Sequence, residues 1–301
     1  MHAGTLIQGI GDDAAVLGLP RGHELLVTTD LSLEDIHFHR HWASPPSIGH
    51  RTLLRGLSDI AAMGGVPLAA FLSLGVPRNL PQPWVDGFLT GLVRLATRFG
   101  VSLAGGDTSE SSEKILADIV VVGSVPRGRA VLRSGARVGD RIYVTGQLGA
   151  GAARLARLYS ARQTRIGRPR ARGWPIPRIA IGQFLRQKRI ARSMIDLSDG
   201  LSTDLSHICE ESEVGAEITE QAIPRARLDR ARVGMKFALH GGDDYELLFT
   251  ADPRARVPRI IDGISITQIG EITRARKLIL CGAEGRRAEL HAEGWEHFGQ
   301  S

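Results

Sequence analysis

Apolar residues recur at two different periods along the first half of the chain. Short runs rich in valine, isoleucine and leucine predict buried strands at 24–29, 68–76 and 115–125. Between these runs, apolar residues at helical spacing predict amphipathic helices at 47–63 and 84–99, which glycines terminate. This alternation of strands and helices predicts an α/β or α+β domain.

The second half of the chain begins after a break. A segment rich in glycine and arginine, 126–140, precedes a fresh strand at 141–145. We therefore expect an N-terminal domain over 1–135 and a C-terminal domain over 136–301. The elements predicted in the second domain are a helix after Gly149, helices at 179–187 and 201–212, and strands at 246–250, 265–269 and 277–280.

Composition restricts the class of protein. The chain has 301 residues, of which 43% are hydrophobic and 23% are charged, as in ordinary globular proteins. No apolar run reaches the roughly 18 residues of a membrane span, and no secretory signal is expected. Two isolated cysteines fit a reducing compartment, so a cytoplasmic location is expected. The net charge of +6 comes mostly from arginines around 154–178, which we interpret as a solvated loop rather than a nucleic-acid surface.

Carboxylates stand beside glycine, serine or threonine at several separate places. These places are Gly11-Asp12-Asp13, Thr28-Thr29-Asp30, Leu57-Ser58-Asp59, Gly105-Gly106-Asp107, Asp196-Leu197-Ser198-Asp199-Gly200 and Gly241-Gly242-Asp243-Asp244. Most begin or end an apolar run, so we expect them in loops where elements stop. If the loops converge, like charges about 4 Å apart cost about 4 kcal/mol at an effective dielectric of 20, and a cation must sit among them. Magnesium arriving with a substrate phosphate fits oxygen ligands of this kind, which indicates phosphoryl transfer from a nucleotide.

The common nucleotide-binding signatures are missing from the sequence. Neither a GxxxxGK[ST] loop nor the protein-kinase motif set occurs. A nucleotide would then be held by glycine amides, metals and an arginine. The segment Gly105-Gly106-Asp107-Thr108-Ser109 suits that task, although a simple turn explains it equally well.

Two aspartates in the second half share a helical spacing. Asp196 and Asp199 are three residues apart and lead into a helix, so both carboxylates can point to one side, beside Ser198 and the first helical amides. The alternative is that Ser198 or Asp199 merely caps the helix.

Taken in order, these motifs resemble the thiamine-monophosphate kinase family. The pieces that carry the resemblance are Gly9-Ile10-Gly11-Asp12-Asp13-Ala14-Ala15-Val16, Thr28-Thr29-Asp30, His37, Leu57-Ser58-Asp59-Ile60-Ala61-Ala62-Met63-Gly64, Gly105-Gly106-Asp107-Thr108, Arg133-Ser134-Gly135-Ala136, Asp196-Leu197-Ser198-Asp199-Gly200 and Gly241-Gly242-Asp243-Asp244-Tyr245-Glu246-Leu247. The resemblance runs from Gly9 to about Phe298. It implies a two-domain aminoimidazole ribonucleotide synthetase-like fold, with an N-terminal mixed-sheet domain and a C-terminal α/β sandwich domain.

The resemblance also implies an activity and roles for individual residues. Members of the family transfer the γ-phosphoryl group of ATP directly to thiamine monophosphate, using several Mg²⁺ ions and often a homodimer, without a catalytic side chain of their own. The implied metal ligands are Asp13, Thr28, Thr29, Asp30, Asp59, Asp107, Asp196 and Asp199. The implied nucleotide contacts are Gly106, Asp107, Arg133 and Ser198. The implied substrate contacts are His37, Asp243 and Trp295.

Other interpretations stay open at this point. A sister synthetase could make aminoimidazole ribonucleotide or selenophosphate, although the chain has no cysteine before Cys209 to serve the latter reaction. A regulator that binds nucleotide without turnover is suggested by the short segment before Gly9, where the family usually has a helix. The alternation of His37, His39 and His41 would suit zinc if they lay on one strand, and Trp295 could simply pack near the C-terminus. Asp243 stands where the family commonly has glutamate.

Overall fold

The computed structural model describes residues 6–164 and 174–294, and these form two compact units. The first unit comprises 6–60, 65–130 and 174–179, and the second comprises 61–64, 131–164 and 180–294. No helix among the described residues is long and apolar enough to cross a membrane.

The first unit is built on one four-stranded mixed sheet. Its elements are β1 (Leu6–Gln8), β2 (Val16–Leu17), β3 (His23–Leu33), α1 (Pro45–Ala62), β4 (Val66–Pro77), α2 (Gln82–Phe99), β5 (Ser102–Ser111) and β6 (Leu116–Pro126). The sheet order is β3-β6-β4-β5, in which β4 and β5 are parallel and the other pairs antiparallel. Strands β1 and β2 form a separate antiparallel pair.

One face of this sheet is covered by helix α1. Residues Leu53, Leu57 and Ile60 recur at helical spacing and are fully or almost fully buried, as are Ile119 and Val121 on β6. Side chains alternate between the two faces of a strand, so the even-numbered residues of β3 face the helix and the odd-numbered ones face away. Burying an apolar side chain of this size contributes about 1.5–3 kcal/mol, so this layer holds α1 in place.

The second unit contains a larger mixed sheet. Its elements are β7 (Arg141–Thr145), α3 (Ala150–Thr164), α4 (Ile179–Gln187), β8 (Ala191–Asp196), α5 (Leu201–Glu211), β9 (Gly215–Thr219), β10 (Arg227–Leu228), β11 (Ala231–Arg232), α6 (Met235–His240), β12 (Leu247–Ala251), β13 (Ile260–Ile261), β14 (Ile264–Thr273), β15 (Leu278–Cys281) and β16 (Arg287–Glu289). The main sheet has the order β16-β15-β9-β14-β7-β12-β8, with β13 paired to β14. Its core includes Leu205 and Ile208 of α5 against Ile142, Val144 and Leu248 of the sheet.

The predicted element types hold in both units, but the acidic motifs do not all lie in loops. Asp30 lies inside β3, which continues to Leu33 instead of stopping at residue 29, and Asp59 lies inside α1. The glycine-rich segment around Asp107, expected in a loop or turn, belongs to strand β5. Strand β8, which ends at Asp196, was not predicted either. These segments are strands because neighbouring strands pair with them, and that pairing overrides the turn preference of glycine and serine.

Candidate active site

The residues implied as functional are divided between the two units. The first unit holds Asp13, Thr28, Thr29, Asp30, His37, Asp59, Gly106 and Asp107, and the second holds Arg133, Asp196, Ser198, Asp199 and Asp243. Trp295 lies outside the described residues. The convergence of all these motifs in one pocket stays a prediction.

A pair of carboxylates is the most perturbed feature of the first unit. Asp30 on β3 and Asp59 on α1 lie next to each other, and the hydroxyl of Thr28 donates a hydrogen bond to Asp59 Oδ2. Burial and the neighbouring Asp59 charge raise the pKa of Asp30 to about 7, against an opposing effect of the Arg55 guanidinium. Having both carboxylates ionised is therefore unfavourable near neutral pH, and a cation between them would relieve the repulsion.

Another two carboxylates lie on the face of the same sheet opposite to α1. Asp118 on β6 and Asp107 on β5 are both register partners of Ser73 on β4, so all three side chains point to one face. The Thr29 hydroxyl donates to Asp118 Oδ1 over 2.8 Å. Asp118 also contributes to raising the pKa of Asp30. This strip of oxygen atoms lies across the sheet beside the Asp30–Asp59 pair.

Gly106 has a structural explanation within this sheet. Its φ angle is 144°, and a Cβ atom there would collide with the Leu72 carbonyl oxygen of the paired strand. The glycine is therefore required for the close pairing of β5 with β4. Its implied role as a nucleotide contact stays a prediction.

The three alternating histidines do not share a strand face. The segment is a run of turns, in which His37 Nδ1 accepts a hydrogen bond from the Leu33 amide at 3.0 Å. His39 bonds Asp35 and packs against Trp42. Within 6–164 and 174–294, these histidines do not form a cluster with metal-binding geometry, so the zinc alternative is wrong for the described structure. The Leu33 bond requires Nδ1 of His37 to be unprotonated in this arrangement, which leaves the proton of a neutral ring on Nε2.

Asp13 is placed apart from the paired carboxylates. It is exposed in the turn between β1 and β2, where its amide bonds the Asp12 side chain. In the part of the chain that the structure describes, neither Asp13 nor Asp107 joins Asp30 and Asp59 in a cluster whose ligand atoms all lie within 4.8 Å of one another.

Three loops of the second unit meet at one edge of its sheet. Strand β8 ends at Asp196, which pairs with Leu247 at the start of β12, and β7 ends next to them at Thr145. The loops 146–149, 197–200 and 241–246 therefore emerge side by side. Both acidic motifs of this unit thus lie at the same edge, together with a glycine-rich turn.

The loop after β8 is supported by a carboxylate from the helix that follows it. Asp204, in the first turn of α5, accepts hydrogen bonds from the amides of Gly200 at 3.0 Å and Asp199 at 3.2 Å. Burial, followed by the charges of Asp196 and Asp199, raises the pKa of Asp204 well above its usual value. Asp199, Asp204 and His207 each place a potential ligand atom within 4.8 Å of the others. No side chain caps α5 at Gly200, so the alternative of capping by Ser198 or Asp199 is wrong.

The loop before β12 is tied to its neighbours by its backbone. The Asp243 amide donates to the Ser198 carbonyl oxygen at 2.8 Å, and the Tyr245 amide donates to the Leu197 carbonyl oxygen at 2.9 Å. The hydroxyl of Thr145 donates to Glu246 Oε2 at 2.5 Å. Asp243 and Ser198, implied respectively as substrate and nucleotide contacts, are therefore direct neighbours.

Arg133 is exposed, and its carbonyl oxygen accepts a hydrogen bond from the Ser212 hydroxyl at 3.3 Å. This position neither supports nor opposes its implied contact with a nucleotide.

Sequence reasoning missed Asp118 and Asp204, and it gave Asp244 no role. A period-two reading of β6 could have found Asp118, because it falls on the face opposite to the buried Ala117 and Ile119.

The oxygen atoms around Asp30 suit a hard metal ion. Around Asp30 the available atoms are carboxylate and hydroxyl oxygens, and burial together with the Asp59 charge raises the pKa of Asp30 despite the Arg55 guanidinium. Hard cations such as Mg²⁺ prefer oxygen ligands of this kind, so the residues fit that ion.

Comparison with known proteins gives the same assignment over nearly the whole chain. Residues 11–125 match the AIR synthase related protein N-terminal domain, and residues 137–281 match the corresponding C-terminal domain. The chain is 32% identical to the thiamine-monophosphate kinase of Bacillus subtilis (strain 168), over 99% of this chain and 95% of that protein.

Two solved structures are similar in fold and sequence. The thiamine-monophosphate kinase from Stenotrophomonas maltophilia K279a has a TM-score of 0.82 and 32% identity, covering 95% of this chain and 93% of the other. The structure of AaThiL complexed with AMPPCP and TMP has a TM-score of 0.79 and 29% identity, covering 93% of this chain and 89% of the other. By its two AIR synthase-related domains and its identity along nearly the full length of these relatives, the chain belongs to the thiamine-monophosphate kinase family.

Proposed function

We propose that this protein transfers the γ-phosphoryl group of ATP to thiamine monophosphate, giving thiamine diphosphate and ADP. A phosphate oxygen of thiamine monophosphate forms the new bond to the γ-phosphorus as the bond to the β-phosphate oxygen breaks. The Asp30–Asp59 pair carries the proposal, because two adjacent half-buried carboxylates, with the pKa of Asp30 raised by burial and by the Asp59 charge, favour a cation of the kind that accompanies a nucleotide. The complex of the related AaThiL with AMPPCP and TMP supports the choice of substrates.

The Mg²⁺ ligands that we propose in each unit are oxygen atoms. In the first unit these are Asp30, Asp59, Asp13, Asp107 and the threonines Thr28 and Thr29, and in the second they are Asp196 and Asp199. When bound, Mg²⁺ would neutralise the phosphate charge and help align the two phosphates. The chain's own contribution is to orient these carboxylates, as the Thr28 hydroxyl does for Asp59 by donating a hydrogen bond to Oδ2.

The remaining residues bind and orient the two substrates. Gly106, Arg133 and Ser198 are proposed to contact the nucleotide, while His37, Asp243 and Trp295 are proposed to contact thiamine monophosphate. The neutral His37 ring would offer Nε2–H as a donor to a phosphate oxygen. An attacking phosphate oxygen is already ionised near neutral pH, so this reaction needs positioning rather than a strong general base.

The uncovered face of the first sheet supports a homodimer. Leu25, Val27 and Leu31 of β3 alternate on this face and remain 52%, 61% and 43% exposed. Three large apolar side chains on one strand face form the kind of contiguous patch that marks an association surface. A second copy of the chain presents the same apolar face, so a two-fold dimer would cover both. A cytoplasmic location belongs to the proposal because the reaction requires a supply of ATP.

Other candidate functions lead to different products. A sister synthetase would consume a formylglycinamidine ribonucleotide or a selenium donor, and a regulator would bind nucleotide without releasing ADP. Similarity to thiamine-monophosphate kinases at 32% identity favours the kinase over both.

The test is turnover of purified protein with ATP and thiamine monophosphate. ADP and thiamine diphosphate should form in equal amounts, only with Mg²⁺ present, and not when thiamine or formylglycinamidine ribonucleotide replaces thiamine monophosphate. Folded, nucleotide-binding protein that makes no thiamine diphosphate would refute the proposal.

A further inference from the structure

Asp244 is a half-buried carboxylate to which the proposed reaction gives no task. Its side chain accepts hydrogen bonds from the amides of Gly149 at 2.6 Å and Gly151 at 3.3 Å, and the Ala150 amide also bonds it. Burial raises its pKa to about 7, while those three amides act in the opposite direction. A carboxylate buried at such a cost usually holds something in place.

What Asp244 holds is the first turn of α3. A helix begins with amides that have no partner inside the helix, and these amides favour a negative charge. In this fold the protein's own carboxylate occupies that position, so the helix start is joined to the loop 241–246 through one side chain.

The residues on either side of Asp244 have an unusual backbone. Asp243 has φ 74° and Tyr245 has φ 53°, in the left-handed region that residues other than glycine seldom adopt. Such a conformation costs about 1–2 kcal/mol per residue, so it persists only where several contacts impose it. On one side these contacts are the hydrogen bonds that the amides of Asp243 and Tyr245 donate to the carbonyl oxygens of Ser198 and Leu197, respectively. On the other side the contact is Asp244.

Gly151 allows the two segments to approach this closely. A Cβ atom at Gly151 would lie 2.7 Å from the Asp243 carbonyl oxygen, 2.8 Å from that of Gly242 and 2.9 Å from the Asp243 Cβ. These distances are shorter than ordinary van der Waals contacts, so a side chain at this position would displace the loop that carries Asp243.

We propose that Asp244 is a positioning residue for the thiamine monophosphate site: by binding the first turn of α3 it holds Asp243 in its left-handed conformation next to Ser198. This inference rests on the proposed function, because it takes Asp243 as a substrate contact. Asp244 acts through Asp243 and need not touch the substrate itself.

The first experiment measures Asp244→Asn kinetically. The asparagine keeps one acceptor oxygen but puts an NH₂ group among three amide donors. We expect KM for thiamine monophosphate to rise about tenfold while KM for ATP changes less than twofold. Asp140→Asn is the matched control. Asp140 is a fully buried carboxylate of this unit, bonded to the Arg137 amide and to Arg192, but it precedes β7 at the other end of the strand. It should lower the melting temperature without moving either KM.

Two further variants keep the inference testable if Asp244→Asn folds poorly. Gly151→Ala leaves Asp244 in place but crowds the same junction, and should produce the same selective rise in KM. In an Asp243→Asn background, Asp244→Asn should have little further effect on KM, because residues that act through one another are not additive. Equal rises in both KM values, no rise at all, or additive effects would overturn the inference.

A readout without turnover separates this inference from the proposed function. Amide hydrogen exchange at 243–246 should become faster in Asp244→Asn and Gly151→Ala, and should be unchanged in Asp140→Asn. If the wild-type protein makes no thiamine diphosphate but exchange responds as described, the proposed function fails and the positioning of this loop stands. If the wild type is active and exchange at 243–246 does not change, the positioning inference fails.

Discussion

At the scale of single residues, the Asp30–Asp59 pair sets a pH dependence of stability. The pKa of Asp30 is about 7 in the folded protein, against 3.8 as the ordinary value. Between these two values the folded state therefore binds more protons than the unfolded state does. The free energy of unfolding consequently falls as pH rises from about 4 to about 7. Each pKa unit corresponds to about 1.4 kcal/mol, which puts the upper limit for this group near 4 kcal/mol. Thermal melts without metal should show this decline, and Mg²⁺ should raise the melting temperature more at pH 8 than at pH 5.5.

The variant Asp59→Asn distinguishes the contribution of Asp30 to this pH dependence from the contributions of other acidic residues. Asp204 and Asp244 also have raised pKa values and contribute a decline of the same sign. The asparagine removes the repelling charge but can still accept the Thr28 hydrogen bond, so the decline between pH 5 and pH 8 should be smaller than in the wild type. Turnover should be lost, whereas the melting temperature at pH 8 without metal should not fall. A fall of many degrees there would instead make Asp59 a structural residue.

The candidate residues could be predicted from sequence only where a motif names them. Asp30, Asp59, Asp196 and Asp199 stand in short motifs that keep their order along the chain. Asp204 has no such motif, because its importance comes from two amide hydrogen bonds that exist only once α5 has folded. The raised pKa of Asp30 could not be predicted from the sequence either, since it depends on burial and on the charge of Asp59 from a different element.

At the scale of elements, helices were easier to predict than strands. The predicted helix 47–63 appears as Pro45–Ala62 and the predicted helix 84–99 as Gln82–Phe99, because local periodicity defines an amphipathic helix. Strand β5 is rich in glycine and serine and carries no strand signal of its own. It is a strand because it pairs in parallel with β4, and such long-range pairing cannot be inferred from local spacing.

Strand β5 is therefore expected to depend on Gly106. In Gly106→Ala the new methyl group would collide with the Leu72 carbonyl oxygen, and the backbone at φ 144° disfavours any side chain. The strand would separate from β4, with a loss of about 2–4 kcal/mol in the free energy of unfolding. Gly128→Ala is the control, because Gly128 also has a positive φ angle but has nothing within 4 Å of the added atom. It should cost about 1 kcal/mol. Equal losses in urea unfolding of the two variants would show that β5 tolerates a side chain at this position.

At the scale of the whole molecule, the two units differ in how their sheets are covered. In the first unit helix α1 covers one face, and the other face exposes Leu25, Val27 and Leu31 beside the polar strip that includes Thr29. Because these apolar residues alternate on one strand with Thr29, an association surface and a candidate metal-binding strip share the same sheet face. The proposed dimer would therefore place a second copy next to Asp118 and Asp107.

This arrangement predicts that loss of the dimer and loss of activity go together. In size-exclusion chromatography with light-scattering detection, the wild-type protein should have twice its chain mass of 32.5 kDa. In Val27→Lys, a charge in the middle of the apolar face would cost several kcal/mol when buried between two copies, so the protein should become monomeric at micromolar concentration. Ile260→Lys is the control, since Ile260 is 66% exposed on β13 of the second unit. It should remain dimeric and active. Because Val27 lies two residues from Thr29 on the same face, the monomer should also show weaker Mg²⁺-dependent turnover. A Val27→Lys protein that stays dimeric would place the interface elsewhere, and a fully active monomer would separate the two roles of this face.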